Sequence, residues 1–304
     1  MRHARSQTPS PALAITLLCI ACLTIMVGCV IVPGLPLIAP QLGVSNAAGW
    51  LVTVPSLGVV LFGPLVARVI DRLGLYASLI TGLLAYGLLG AAGAWLQGPW
   101  LIFADRLLLG AATVLVMASG TGLISVFYQG RARLNMMAKQ GMAIEAGGVI
   151  MLAAGGFLAG ISWYLPFSLY LIAWFFILPV IAFVPRPPAD IRTADVHADK
   201  TIPLSLKLVY FAAMMSLIVF FSAVILLPFK LQQLHFSSAE TGYFLSFLSF
   251  VAVIAAALMP KASRTLGEYQ TLILAFGLYT IGQTIFNFSD SLFTLIAGAC
   301  FTGF

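Results

Sequence analysis

Charge is what this sequence has least of. Only 8% of its 304 residues are Asp, Glu, Lys or Arg, while 61% are hydrophobic; a soluble domain carries about 25% charged residues to stay in solution. That shortage excludes water as the solvent of the folded chain. Cysteine and histidine are scarce too. Cys19, Cys22, Cys29 and Cys300 lie within apolar runs, and His3, His197 and His235 lie far apart without ligand spacing, which argues against a disulfide scaffold and a metal centre. No nucleophile, base and orienting group stand at usable spacing, so nothing points to an enzyme or a resident cofactor. The formal charge of +6 does not describe a nucleic-acid surface either, because the basic residues fall in short clusters between apolar runs rather than along one face.

What the sequence does have is a series of long apolar runs. A spanning helix needs about 20 apolar residues. Runs near 12–32, 48–70, 77–96, 100–127, 140–161 and 165–184 qualify, and further runs follow near 207–229, 241–260, 270–287 and from 292 onward. The expectation is an all-α polytopic membrane protein with nine complete spanning helices and a stub. Arg2 and Arg5 followed by Met26-Val27-Gly28-Cys29 have the outline of a lipoprotein signal, but the run continues through Val30, Ile31 and Val32. A signal core is only about 7 to 15 residues long, so this reads as a first membrane helix. The stretch from Pro185 to Pro203 holds four prolines with Arg186, Asp190, Arg192, Asp195, Asp199 and Lys200. It is too polar to pack in lipid and reads as a linker. The chain thus divides into a tail at 1–11, a six-helix half at 12–184, a linker at 185–206 and an incomplete second half at 207–304.

Lys and Arg in short loops stay on the cytoplasmic side. With the N-terminus inside, thirteen basic residues gather on that side: Arg2, Arg5, Arg68, Arg72, Arg131, Arg133, Lys139, Arg186, Arg192, Lys200, Lys207, Lys261 and Arg264. Lys230 alone falls outside, and Arg106 falls within a helix. An internal repeat supports the same layout. An offset of 193 pairs Ser45 with Ser238, Gly49 with Gly242, Gly74 with Gly267, Tyr76 with Tyr269, Tyr86 with Tyr279 and Gly110 with Gly303. On this repeat Phe304 corresponds to Ala111, so the second half is expected to continue through two further helices, twelve in all.

Two segments carry a family resemblance. Gly63-Pro64-Leu65-Val66-Ala67-Arg68-Val69-Ile70-Asp71-Arg72-Leu73-Gly74 lies between the second and third runs, and Phe103-Ala104-Asp105-Arg106-Leu107-Leu108-Leu109-Gly110 opens the fourth. With two parallel six-helix halves and a cytoplasmic linker, they resemble the major facilitator superfamily, whose halves rock about a central cavity. The resemblance is to the drug:proton antiporter branch, and it implies a gating role for Asp71, Arg72 and Gly74, in which the Asp71 carboxylate latches the two halves. The plain alternative is that Arg68 and Arg72 only orient the helix. Ala67 replaces the motif glycine nearest Asp71, and Leu75 and Tyr76 replace the later basic pair. In the fifth run, Gly155-Gly156 fits the antiporter motif, but Met151-Leu152 stands where Gly-Pro is expected.

The resemblance also marks Asp105 and Arg106 as candidates for proton coupling. An ionised Arg at membrane depth costs at least about 2.5–3.5 kcal/mol and needs a partner or a wet cavity; the alternative is that both side chains snorkel to headgroups. Glu145 is the third proton-coupling candidate. Its alternative is a structural pair with Arg131, Arg133 or Lys139 near the cytoplasmic entrance. The glycines around it allow close helix packing without any chemistry. Met214, Phe220, Tyr243 and Phe247 are soft or aromatic candidates for a substrate cavity, although lipid-facing side chains read the same way. Ser237-Ser238-Ala239-Glu240 is a capping-box pattern.

The implied function is secondary transport by alternating access: proton-coupled efflux of small amphipathic compounds or drugs across the inner or plasma membrane. The partners are then the substrate, protons and the bilayer, with no nucleic acid and a monomeric state. The alternatives are a proton-linked uptake or metabolite permease, and a membrane sensor or scaffold that does not transport.

Overall fold

The computed structural model of the protein describes residues 10–187, 204–288 and 291–303. Most of the expected tail and linker lies outside the described residues. Helices make up nearly everything else, and no strand occurs among the described residues. In chain order they are α1 (Pro11–Cys29), α2 (Leu35–Gln41), α3 (Trp50–Ala92), α4 (Pro99–Phe127), α5 (Gly130–Ile161), α6 (Leu165–Ser168), α7 (Ile172–Phe183), α8 (Leu204–Gln233), α9 (Ser238–Leu266), α10 (Glu268–Phe288) and α11 (Leu292–Gly303). Seven described segments are long and apolar enough to cross a membrane, α3 counting once among them.

The apolar runs place these helices closely. The differences have local causes. α3 runs for 43 residues, which would make a straight rod about 65 Å long at 1.5 Å per residue, twice the roughly 30 Å of a bilayer core. It turns back at Gly74, whose φ of 78° is a left-handed conformation that glycine adopts without steric cost. Two runs expected to be joined by a loop are therefore joined by a single elbow residue. α5 begins ten residues ahead of its apolar run, taking in Arg131, Arg133 and Lys139 as its first turns. α2 has no counterpart among the apolar runs; it is a seven-residue helix in the connection between α1 and α3, packed against α8.

The helix starts follow ordinary capping chemistry. Ser10 accepts a hydrogen bond from the Leu13 amide at 3.2 Å ahead of Pro11. At α9 the capping box forms in full. Glu240 Oε2 accepts from the Ser237 amide at 2.8 Å, and Ser237 Oγ accepts from the Glu240 amide at 3.2 Å.

The 193-residue repeat is visible in backbone geometry. Gly267, the counterpart of Gly74, also has a positive φ, 86°. A Cβ built on Gly110 would strike Pro55 and Gly58; one built on Gly303 would strike Leu248 and Val251. Those are the equivalent positions one repeat along, so the same helix pair crosses at the same residues twice.

α5 is the hub of the packing, pressed between α1 and α9. On the α1 side, a Cβ at Gly147 would lie 2.7 Å from Cys22 Cβ, and one at Gly148 would lie 3.3 Å from Ile25. On the α9 side, a Cβ at Gly156 would lie 2.7 Å from Gly242 Cα, and the reverse distance is 2.8 Å. Ser246 Oγ ties this crossing by donating to the Val149 carbonyl at 2.6 Å. Small residues let two backbones meet so closely, and dispersion between them replaces the hydrophobic drive that lipid does not supply. Gly156→Ala and Gly242→Ala should each destabilise the protein by about 1–3 kcal/mol through overpacking, read as a lower unfolding temperature in detergent. Gly160→Ala, whose added Cβ meets Ala239 Cβ at 3.8 Å, should leave that temperature unchanged or raise it.

Candidate functional site

Three groups of polar residues interrupt the apolar bundle. The first lies about 10 Å into α4, seven residues beyond Pro99 at 1.5 Å each. Arg106 is completely buried and Asp105 is 5% exposed. Asp105 Oδ2 accepts from Arg106 Nη2 at 2.8 Å and from Nε at 3.1 Å, a charge-assisted contact between chain neighbours. Nη2 also donates to the carbonyls of Leu89 and Gly90, both at 3.3 Å. These two belong to the last turn of α3, where carbonyls have no helical partner. The remaining pair is satisfied locally: Ala94 donates to Ala91, and Trp95 to Ala92. Arg106 therefore completes the cap of α3 with a positive charge at the negative end of its dipole.

Aromatic rings close the group. The guanidinium carbon stands 5.4 Å from the Phe167 ring centre and 5.6 Å from that of Tyr170. Tyr170 packs on Tyr86 with centroids 5.7 Å apart. Tyr86 Oη donates to the Leu23 carbonyl at 2.7 Å and Tyr170 Oη to the Val27 carbonyl at 2.8 Å. α1, α3, α4 and the α6–α7 segment are thus gathered around one cation. Gly93 makes room for it, since a Cβ there would press on Arg106 and lie 2.6 Å from Phe167. The pair is internally partnered instead of snorkelling. Nη1 alone is left without a hydrogen-bond partner.

The second group is Glu145. It is half-buried and lies on the stripe Glu145, Val149, Leu152 and Gly156 that helical spacing turns toward α9. Its level in the bundle is set by a contact between α1 and α5. Cys22, in the middle of α1, donates from Sγ to the Ala143 carbonyl at 3.0 Å, so Glu145 stands level with the middle of that helix. Arg131 is about 21 Å away along α5. Among the described residues Glu145 forms no ion pair with Arg131, Arg133 or Lys139.

The third group is at the α3 elbow. Asp71, Arg72 and Gly74 line a cleft of about 680 Å³ together with Tyr76, Thr81 and Arg186. Arg186 lies over the Tyr76 ring at 5.4 Å. Asp71 has no ion-pair partner among the described residues. The sequence marked Tyr76 as a repeat match of Tyr269 and a departure from the family pattern, and placed Arg186 in the linker; nothing in the spacing foretold their contact.

The expected proton-coupling candidates are therefore not brought together. Asp105 and Arg106 form one group, and Glu145 stands apart on α5. Met214, Tyr243 and Phe247 are exposed in part and do not line the elbow cleft, while the side chain of Phe220 lies outside the described residues. Tyr86, Phe167 and Tyr170 were not singled out as site residues. The one advance signal was the repeat match of Tyr86 with Tyr279.

An all-helical bundle with several spanning segments and charges buried in lipid-facing elements defines a multi-pass membrane protein. The family profile of the Major Facilitator Superfamily matches residues 16–304, and the chain belongs to that family of transporters. It is 24% identical over 288 residues to "Multidrug resistance protein 2" of Bacillus subtilis (strain 168), a match covering 89% of this chain and 72% of that protein. Among solved structures it is similar to a D-xylose-proton symporter, with a TM-score of 0.70 at 15% identity over 97% of this chain and 80% of that one. It is also similar to an inward-open xylose transporter from E. coli, with a TM-score of 0.61 at 15% identity over 96% and 79% of the two chains. The two structures establish the shared fold.

Removing one member of a buried ion pair leaves the other uncompensated, at a cost of about 3–5 kcal/mol. Arg106→Met should show that loss in chemical or thermal unfolding. The double variant Arg106→Met/Asp105→Asn should recover much of it, since the orphaned carboxylate is gone. Equal losses in both variants would show that the α3 cap, not the ion pair, dominates.

Proposed function

We propose that this protein is a proton-coupled exporter of small amphipathic compounds, cationic ones foremost, working by alternating access in the inner or plasma membrane. The carrying observation is Glu145, a half-exposed carboxylate level with the middle of α1 and with no ion-pair partner among the described residues. A carboxylate held in hydrocarbon is costly unless it is protonated or paired with a cation. One such group can hold a proton or a positively charged substrate but not both, so binding either one displaces the other, and by linkage each lowers the other's affinity equally. That competition is the minimum device for exchange. The name of the Bacillus subtilis relative supports drug export as the direction.

In this reading the two units at 12–184 and 207–304 move against each other along the α5–α9 crossing. Asp71, Arg72 and Gly74 form the inner gate. Asp105 and Arg106 hold the first unit together while Glu145 carries the proton. The N-terminus is cytoplasmic, the protein acts as a monomer, and no cofactor takes part. Met214, Phe220, Tyr243 and Phe247 remain the candidates for contact with the apolar part of the substrate.

The test is accumulation of a fluorescent cationic dye in everted vesicles containing the protein. Wild type should take up dye with a proton gradient and lose that uptake when the gradient is collapsed. Glu145→Gln should abolish gradient-driven uptake while leaving the unfolding temperature unchanged, and Glu145→Asp should retain part of it. Uptake by Glu145→Gln equal to wild type would remove Glu145 from the coupling.

A further inference from the structure

We propose that the cleft at the α3 elbow holds the phosphate of an anionic phospholipid. Its position rests on the orientation given above, which places the elbow on the cytoplasmic side. Its chemistry rests on the cleft itself. Arg72 and Arg186 bring two guanidinium groups to one lining, against a single carboxylate, Asp71. None of the three is consumed by an ion pair among the described residues. Guanidinium groups present forked donors matched to phosphate oxygens.

Arg186 is not a free surface arginine. Its guanidinium is laid on the Tyr76 ring at 5.4 Å, so part of the cost of ordering it is met before any ligand arrives. Tyr76 occupies a position where the family pattern has a basic residue. The charge missing there is brought from the end of α7 and set down on an aromatic ring. Thr81 stands on the same lining with its hydroxyl donating back to the Ala77 and Ser78 carbonyls, and Leu75 and Ile80 add apolar surface from the second limb of α3.

That arrangement has two ends of different character, a cationic mouth at the helix elbow and an apolar track along a membrane helix. A free phosphate needs only the first. A phospholipid uses both, with its headgroup between the arginines and an acyl chain beside Leu75 and Ile80. The volume of about 680 Å³ exceeds what inorganic phosphate fills. Basic pockets among cytoplasmic helix ends commonly take anionic headgroups, each basic residue contributing about 1 kcal/mol.

The experiment is lipid binding by the whole purified protein, delipidated and then titrated with labelled phosphatidylglycerol in mixed micelles, with phosphatidylcholine as the uncharged comparison. Wild type should prefer the anionic lipid. Arg186→Gln and Arg72→Gln should each weaken its binding about fivefold, the factor equivalent to about 1 kcal/mol per charge. Tyr76→Leu should weaken it similarly, whereas Tyr76→Phe, which keeps a ring under the guanidinium, should bind as wild type does. Arg68→Gln, a basic residue outside the lining, should change nothing. Unfolding temperatures separate these effects from misfolding.

Equal loss in Arg68→Gln would overturn the proposal in favour of diffuse surface charge, and unchanged binding in Arg186→Gln would overturn it outright. Competition by inorganic phosphate at millimolar concentration, with no preference for the intact lipid, would replace the phospholipid by a free anion. Because binding is read without a proton gradient, a failed dye assay leaves this result standing, and a failed lipid assay leaves the exporter reading untouched.

Discussion

A bilayer interior offers no hydrogen-bond partner, so every backbone group released from a helix there must be satisfied by the protein. Much of the first half of this molecule is arranged around that constraint. α3 ends just inside the bundle, leaving four carbonyls without helical partners; its own following turn takes two and Arg106 takes two. Bringing in a guanidinium creates a second obligation, because a cation cannot stand in hydrocarbon alone. Asp105 meets it from the adjacent position, and the faces of Phe167 and Tyr170 meet it from across the bundle. The tyrosine that faces the cation then spends its hydroxyl on α1, as does Tyr86. Each partner needs a further partner, and the chain of satisfied groups stops where it has drawn four segments together.

The same constraint explains why packing here leans on glycine. Water does not squeeze these helices together, so contact must come from close approach. α5 accomplishes it on two sides at once, Gly147 and Gly148 toward α1 and Gly156 toward α9. The α1 contact sets the Cys22 and Ile25 side chains, and the backbone of Val30, against Gly147, Gly148 and Gly155. The α9 contact is a glycine-to-glycine crossing with one serine hydrogen bond beside it.

How much of this was legible beforehand follows from what a sequence encodes locally. Apolar run length foretold the helices because bilayer thickness sets it, and the capping box at Ser237 and Glu240 was legible because both partners lie within one turn. Glycine and tyrosine matches at one offset marked Gly74 and Gly267 as equivalent, and both take a left-handed conformation, a feature the matches themselves do not encode. That Glu145 stands level with the middle of α1 follows from the contact of Cys22 with Ala143, a pairing between helices 121 residues apart in sequence. The contact of Arg186 with Tyr76 joins residues 110 positions apart, and the rings that support Arg106 come from Phe167 and Tyr170. Such pairings depend on which helix faces which, and no local spacing records them.

The charged groups end up with different freedoms, and that difference bears on mechanism. Asp105 is held by two donors on a neighbouring side chain whose remaining bonds fix a helix end; to protonate it would loosen Arg106, and with it the α3 cap and the aromatic cluster. A group so entangled is a poor choice for a proton that must come and go in every cycle. Glu145 has the opposite situation, with one face on the α5–α9 seam, partial access and no ion pair among the described residues to break. Burial alone would rank Asp105 as the more perturbed and so the more functional acid. Counting what each proton transfer would disturb reverses that order, and it favours Glu145, whose neutralisation costs the fold least, in the exchange proposed above.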